Sequence, residues 1–83
     1  MPKRRIRYNV SVKVPEVDEY KTLNNAKARD ARIFIMTGLN EMYNYPMEER
    51  ATQQMLHDLC TINRRKHYNH MILSTVQVTG IYF

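Results

Sequence analysis

Polar and apolar side chains alternate without a break over residues 5–14, with polar groups at the odd positions and apolar groups at the even ones. Successive side chains of a strand point to opposite faces. The pattern therefore predicts a strand with one buried face and one basic, hydrogen-bonding face. Pro15 ends this strand, because proline has no N–H to donate to a neighbouring strand.

After this strand, apolar residues recur at spacings of three and four, which is the period of a helix buried on one side. The spacing predicts a first helix over about residues 20 to 43, with a break near Asp30. Its buried stripe consists of Leu23, Ala26, Ala31, Phe34, Ile35, Leu39 and Met42. Gly38 lies inside this stripe and weakens the helix, but its missing side chain would allow close contact with another element.

A second helix is predicted after the boundary formed by Asn44-Tyr45-Pro46. Pro46 suits the first turn of a helix, and Glu48 and Glu49 follow where the helix dipole favours anions. The buried stripe consists of Met47, Ala51, Met55, Leu56, Leu59, Cys60 and Ile62. Three basic residues close the helix at the end that favours cations, namely Arg64, Arg65 and Lys66.

The C-terminal part of the chain predicts a second strand. Residues 67–70 form a polar connector, and residues 71–83 are uncharged and rich in β-branched and aromatic side chains. One face of this strand would carry Ile72, Val76, Val78 and Tyr82, and the other face Thr75, Gln77 and Thr79.

The order is therefore β-α-α-β, and residues 1–83 are expected to form a single small α+β domain. We predict that the two terminal strands form an antiparallel sheet and that the two helices pack on its apolar face. A two-stranded sheet is marginal alone, and its exposed edges favour a second copy that adds its own strands. We therefore expect a homodimer.

Charge is distributed unevenly along the chain. Residues 1–14 carry five basic side chains and residues 63–83 carry three, and neither segment contains an acid. All eight acids lie in residues 15–62, a segment that also contains five bases. This segregation indicates an anionic partner. The net charge of +5 is also compatible with ordinary solubility charge.

The basic face of the N-terminal strand is the main candidate site. Arginine, lysine and asparagine at two-residue spacing are side chains that hold phosphates and read base edges, so we predict contacts with nucleic acid. The alternative is an ordinary solvated sheet face. The predicted contact residues are Lys3, Arg4, Arg5, Arg7, Asn9, Lys13, Arg64, Arg65 and Lys66.

Residues 5 to 43 resemble the ribbon-helix-helix repressors. That resemblance implies a dimer that places its N-terminal strands in a DNA groove, with Arg29-Asp30 as the turn between two helices. The second predicted helix and the C-terminal strand have no counterpart in the pattern of that family.

Metal binding and catalysis have weaker support. His57, Cys60, His67 and His70 carry groups that can bind zinc, but their spacing matches no common zinc pattern and Cys60 adjoins the buried stripe. No third group is visible to orient a cysteine–histidine pair, and two glycines cannot form a phosphate-binding loop. We predict no metal site, no cofactor and no enzymatic activity.

The remaining expectations concern compartment and function. A lone cysteine fits a reducing compartment, and no apolar run has the pattern of a signal peptide or a membrane span, so we expect a cytoplasmic protein without a membrane partner. We predict a small, non-enzymatic nucleic-acid-binding protein, which would suit a regulatory role. The alternative is an adaptor or inhibitor that is encoded by a phage or other mobile element and binds a host protein.

Overall fold

The computed structural model describes residues 6–82, which form a three-stranded antiparallel sheet and four helices. The strands are β1 (Ile6–Val14), β2 (Glu19–Ala26) and β3 (Val76–Tyr82). The helices are α1 (Ala28–Met42), α2 (Glu49–Leu59), α3 (Ile62–Arg65) and α4 (His70–Thr75). The strand order is β2-β1-β3. The α+β class and the antiparallel pairing of the two terminal strands are therefore confirmed.

The central strand β1 has the alternation that the sequence predicts. Tyr8, Val10 and Val12 are buried, whereas the residues between them are only partly buried. In the pairing with β3, Val10 lies opposite Val78 and Val12 lies opposite Val76. Residues directly opposite each other share a face of the sheet, so both strands direct apolar side chains into the core.

The largest difference from the expectation is β2, which the spacing of apolar residues predicts as helix. The chain instead turns back after β1 and pairs with it, with Leu23 opposite Val10 and Ala26 opposite Tyr8. Over this stretch β2 has one residue more than β1, which is a β-bulge. The extra residue puts Leu23 and Ala26 on the same face although they are three apart. This is the spacing of a helix, and it explains the wrong prediction.

Two residues with left-handed backbone shape this hairpin. Asp18, in the turn, and Asn25, in the bulge, both have a φ of 56°. Aspartate and asparagine tolerate this region better than most residues. The backbone N–H of Asn25 donates to Oδ1 of Asn9 at 2.9 Å, so a side chain of the central strand satisfies a donor at the bulge.

The ribbon-helix-helix arrangement is wrong for this chain. Arg29 and Asp30 lie in the first turn of α1 rather than between two helices. The helix follows two strands rather than one, and it begins only at Ala28 because Lys27 is still extended.

The first helix packs closely on the central strand at Gly38. A Cβ atom placed on Gly38 would lie 3.0 Å from Cγ1 of Val12, which is shorter than an ordinary van der Waals contact. Ala31, Ile35 and Leu39 are fully buried beside it. Gly38 therefore allows α1 to approach the central strand closely.

The second predicted helix is shorter than expected. The chain leaves α2 through Thr61, whose backbone is extended, and then forms only the short α3. The hydroxyl of Thr61 donates to the carbonyl of His57 at 3.2 Å and so satisfies one of the acceptors at the end of α2. Ile62 was expected in the buried stripe, but it lies beyond this break and is 84% exposed.

The start of the predicted C-terminal strand is helical. Residues 70–75 form α4, and Asn69 caps this helix by accepting the N–H of Ile72 on its Oδ1 at 2.9 Å. Thr75 was expected on the polar face of the sheet, but it is buried at the end of α4. Only the later part of the predicted strand forms β3.

Candidate nucleic-acid interface

The sheet has a polar face on the side away from the core, and we call it the outer face. It consists of the odd-numbered residues of β1 and the residues that lie opposite them on β2 and β3. Its members are Arg7, Asn9, Ser11, Lys13, Tyr20, Thr22, Gln77, Thr79 and Ile81. The buried side chains of the strands belong to the opposite face, which packs on the helices, so the outer face is the uncovered side of the sheet.

Side-chain hydrogen bonds connect the three strands across the outer face. The hydroxyl oxygens of Ser11 and Thr22 lie 3.1 Å apart and join β1 to β2. Tyr20 reaches across β1, where its hydroxyl donates to the carbonyl of Ser74 at 2.7 Å. The same hydroxyl accepts from Nε2 of Gln77 at 3.5 Å. These bonds connect Ser11 with Thr22, and Tyr20 with Gln77 and the end of α4.

Tyr20 also gives the outer face an aromatic ring. It lies opposite Lys13 and is 42% exposed, while its hydroxyl is anchored. Exposed aromatic side chains on sheet surfaces stack on unpaired bases in several nucleic-acid-binding folds. Tyr20 is not among the predicted contact residues, because the apolar spacing predicts a helix for this segment. Polarity gives no strand signal here, because the inward residues Glu19 and Lys21 are charged and the outward Tyr20 is aromatic.

Arg7 is the basic group at one end of the outer face, where it lies opposite Ile81. Its Nη1 donates to the carbonyl of Asn25 at 3.3 Å. A carbonyl carries no net charge, so the guanidinium keeps its positive charge and has further N–H groups for another acceptor. Such a group is well suited to a phosphate.

Lys13, at the other end of the outer face, is paired with an acid. Its Nζ lies 2.6 Å from Oδ1 of Asp18 in the turn between β1 and β2, and this contact raises the pKa of Lys13. The sequence predicts an acid-free face because Asp18 lies beyond the strand, but the hairpin brings Asp18 back beside Lys13. The uncompensated positive charge of the outer face is therefore concentrated at the Arg7 end.

Arg64 lies near the same end of the sheet, but on its helix side. It lines a polar groove of about 460 Å³ together with Ile6 and Tyr82, which are paired where β1 begins and β3 ends. Its Nη1 is 4.0 Å from Oδ1 of Asp58, so its charge is only partly offset. The structure thus brings Arg64 near the start of β1, although the two are far apart in sequence.

Arg65 lies beside the edge of β3. It lines a second groove, of about 280 Å³, with Gln77 and Thr79 of the outer face. Lys66 is exposed just after α3. The other predicted contact residues, Lys3, Arg4 and Arg5, lie outside the described residues.

The carboxylate close to Arg64 belongs to Asp58, which is buried. Asp58 accepts the hydroxyl of Tyr68 at 2.6 Å and Nε2 of Gln54 at 3.0 Å. The bond from Tyr68 is the main cause that holds the pKa of Asp58 below its ordinary value. Burial, followed by the bond to Asp58, raises the pKa of Tyr68. With these partners Asp58 ties the connector after α3 to α2, which is a structural role.

Cys60 is the cysteine among the metal-binding and catalytic candidates, and it is partly buried. Burial raises the pKa of Cys60 to about 11, so this thiol is protonated and weakly nucleophilic at neutral pH. No group of three or more histidine, cysteine, aspartate and glutamate side chains within residues 6–82 is arranged to hold a metal ion. Over the same range, every helix is too short or too polar to traverse a bilayer.

The outer face carries chemically different polar groups side by side. It combines a guanidinium, amide and hydroxyl groups and an exposed aromatic ring, with Arg65 beside one edge. No protein-family model, curated protein or solved structure matches the chain. The outer face is therefore the candidate functional surface of the described residues.

Proposed function

We propose that this chain is a small, non-enzymatic nucleic-acid-binding protein that uses its outer face and the adjoining basic residues 64–66. The observation that carries the proposal is an uncovered polar sheet face that bears Arg7 and an exposed Tyr20. Arg65 lies beside the β3 edge of the same sheet, next to Gln77 and Thr79, which supports a contact surface that extends past this edge.

Each group would contact a different part of the ligand. Arg7 and the arginines of α3 contact phosphates, which supply most of the affinity. Tyr20 stacks on a base. The Oδ1 of Asn9 accepts the backbone N–H of Asn25. The side-chain N–H₂ group of Asn9 is therefore the part that donates to a base edge or sugar.

Single strands suit this surface better than duplexes. Stacking on Tyr20 requires an unpaired base whose flat side is accessible. A major groove admits a two-stranded ribbon, whereas this sheet has three strands and helices behind it. Single-stranded DNA or RNA is therefore the ligand class that we propose.

A salt titration of affinity tests the proposal. Fluorescence anisotropy with labelled single-stranded DNA, single-stranded RNA and duplex DNA gives a dissociation constant for each between about 50 and 200 mM salt. If four to six phosphates are neutralised, the logarithm of the affinity for a single strand falls with the logarithm of salt at a slope of about −3 to −4. Absence of binding to all three ligands at low salt contradicts the proposal. Recovery of a stoichiometric protein partner after nuclease treatment would then favour the adaptor alternative.

Charge-reversal variants test whether the outer face is the contact surface. Arg7→Glu and Arg65→Glu are expected to weaken binding at least about tenfold at low salt, because each loses a phosphate contact and adds repulsion. Arg50→Glu makes the same charge change on the exposed first turn of α2 and is the matched control. It should change affinity only about twofold, through net charge. An equal loss in Arg50→Glu would mean that the ligand contacts another surface.

A further inference from the structure

The β2 strand has a free edge and a partly uncovered inner side. Among the described strands it pairs only with β1, so the backbone groups along its other edge are unpaired. Between its inner side and α1 runs an apolar groove of about 330 Å³, lined by Val12, Phe34, Met42 and other side chains. Ile33, on the α1 side of this groove, is 42% exposed. Free edges and exposed apolar surface of this kind favour an added strand.

The charges beside this edge have both signs. Glu19 and Lys21 lie opposite Val14 and Val12, so both belong to the inner side of β2. Both are exposed, and neither forms an ion pair with another described residue. When two copies of such a segment pair about a two-fold axis, the cation of each copy can lie opposite the anion of the other.

We propose that β2 pairs antiparallel with β2 of a second copy, with the two-fold axis at Tyr20. This register puts Glu19 opposite the partner's Lys21 and Lys21 opposite the partner's Glu19, both on the helix side of the joined sheet. Moving the axis to residue 21 or 19 would put two lysines or two glutamates opposite each other, which is unfavourable. An axis placed between two residues would pair inner-side residues of one β2 with outer-face residues of the other. Charge therefore selects one register.

The joined sheet has six strands, and the two apolar grooves approach each other at the axis. The same register brings Val17, which is 60% exposed in the turn before β2, beside the partner's Leu23. A second copy thus covers apolar surface as well as free backbone groups. The proposal does not depend on nucleic-acid binding, because Glu19 and Lys21 lie on the face opposite the outer face.

A charge-swap experiment tests this interface. Sedimentation velocity over a range of protein concentrations gives the dimer dissociation constant for wild type, Glu19→Lys, Lys21→Glu and the double variant. Each single substitution replaces two attractive pairs with two repulsive ones, so we expect at least about tenfold weaker dimerisation. The double variant restores opposite charges across the axis and should return close to wild type. Arg50→Glu is the control for charge alone, and circular dichroism checks the fold of each variant.

Every outcome bears on the proposal. Weak dimers in both single variants and recovery in the double variant support the interface and its register. Single variants that dimerise like wild type overturn the interface, and a double variant as weak as the single ones overturns the register. A wild-type chain that stays monomeric at the highest concentration overturns the proposal.

Discussion

Among residues 6–82, Asp58 is the one acidic residue that the fold buries, and its partners explain how burial is tolerated. A buried carboxylate without partners loses hydration that nothing replaces. Here the Tyr68 hydroxyl and the Gln54 amide donate to the carboxylate, and Arg64 lies 4.0 Å away. Because Tyr68 follows α3, this bond ties the connector after Arg64 and Arg65 to α2.

Replacing Tyr68 with phenylalanine should lower the free energy of unfolding by about 1–3 kcal/mol at pH 7, because it leaves a buried charged acceptor short of a donor. The folded-state pKa of Asp58 is depressed, so this stabilisation is present above the ordinary pKa of about 4 and is lost as pH falls below it. The difference between wild type and variant should therefore shrink at about pH 3. Urea denaturation at the two pH values measures it.

The control for this prediction is Tyr45→Phe, which removes a hydroxyl from another tyrosine packed on the core without touching the bond to Asp58. It should show no comparable dependence on pH in the acid range. If Tyr68→Phe costs the same at pH 3 and pH 7, the carboxylate of Asp58 is not the group that Tyr68 stabilises.

Asn9 shows how one residue can belong to both the fold and the site. Its Oδ1 accepts the N–H of Asn25 at the bulge, while it lies on the outer face between Arg7 and Ser11. Substitution of Asn9 would disturb the bulge as well as any ligand contact. Arg7 is the cleaner probe of binding, because its described hydrogen bond is a single exposed one to a carbonyl.

Among the elements, β1 follows its sequence pattern and β2 departs from it, and both have physical causes. The unbroken alternation in β1 identified a strand and its two faces correctly, because it is regular over nine residues. β2 was missed because the bulge imposes a spacing of three on Leu23 and Ala26. The capping side chain of Asn69 and the extended Thr61 are single-residue signals, and they moved the boundaries of α4 and α2 without changing the fold class.

The candidate site was predictable in part for the same reason. The odd positions of β1 follow from alternation alone, so the positions of Arg7 and Asn9 on one face could be predicted. Tyr20 and Asp18 reach this face only through the hairpin. Once β2 was taken for a helix, the aromatic ring of the outer face and the acid that pairs with Lys13 could not be foreseen.

The contact between α1 and β1 predicts the effect of Gly38→Ala. In an exposed helix this change is favourable by about 1 kcal/mol. Here the new methyl group would meet Val12 at 3.0 Å, and Val12 is a buried β-branched residue on the central strand, so it has little room to move. We expect a net loss of about 1–2 kcal/mol in the free energy of unfolding, measured by urea denaturation.

A double variant separates the steric cause from a backbone effect. Val12→Ala removes the atoms that the new methyl group would meet, so Gly38→Ala should cost less in that background. The matched control is Thr37→Ala on the exposed side of α1, which should be neutral or slightly stabilising. If Gly38→Ala stabilises the protein as it would an isolated helix, the close approach of α1 to β1 does not constrain this position.

At the scale of the whole molecule, pairing of β1 with β3 brings the two acid-free ends of the sequence together. Ile6 lies opposite Tyr82, and Arg64 lines the groove beside this pair. The acids of residues 15–62 contribute Asp18 to the opposite end of the outer face. The sheet is therefore electrically asymmetric along β1, and the proposed contact with nucleic acid is strongest at the Arg7 end.

We propose the outer face as the surface that contacts a single-stranded nucleic acid. Titration of ¹⁵N-labelled protein with an unlabelled single strand, followed through backbone amide chemical shifts, tests this claim residue by residue. We predict that the largest changes fall on Arg7, Tyr20, Gln77 and the α3 segment, while the exposed side of α1 stays unchanged. Changes confined to α1 and α2, or no change at saturating ligand, would contradict the account.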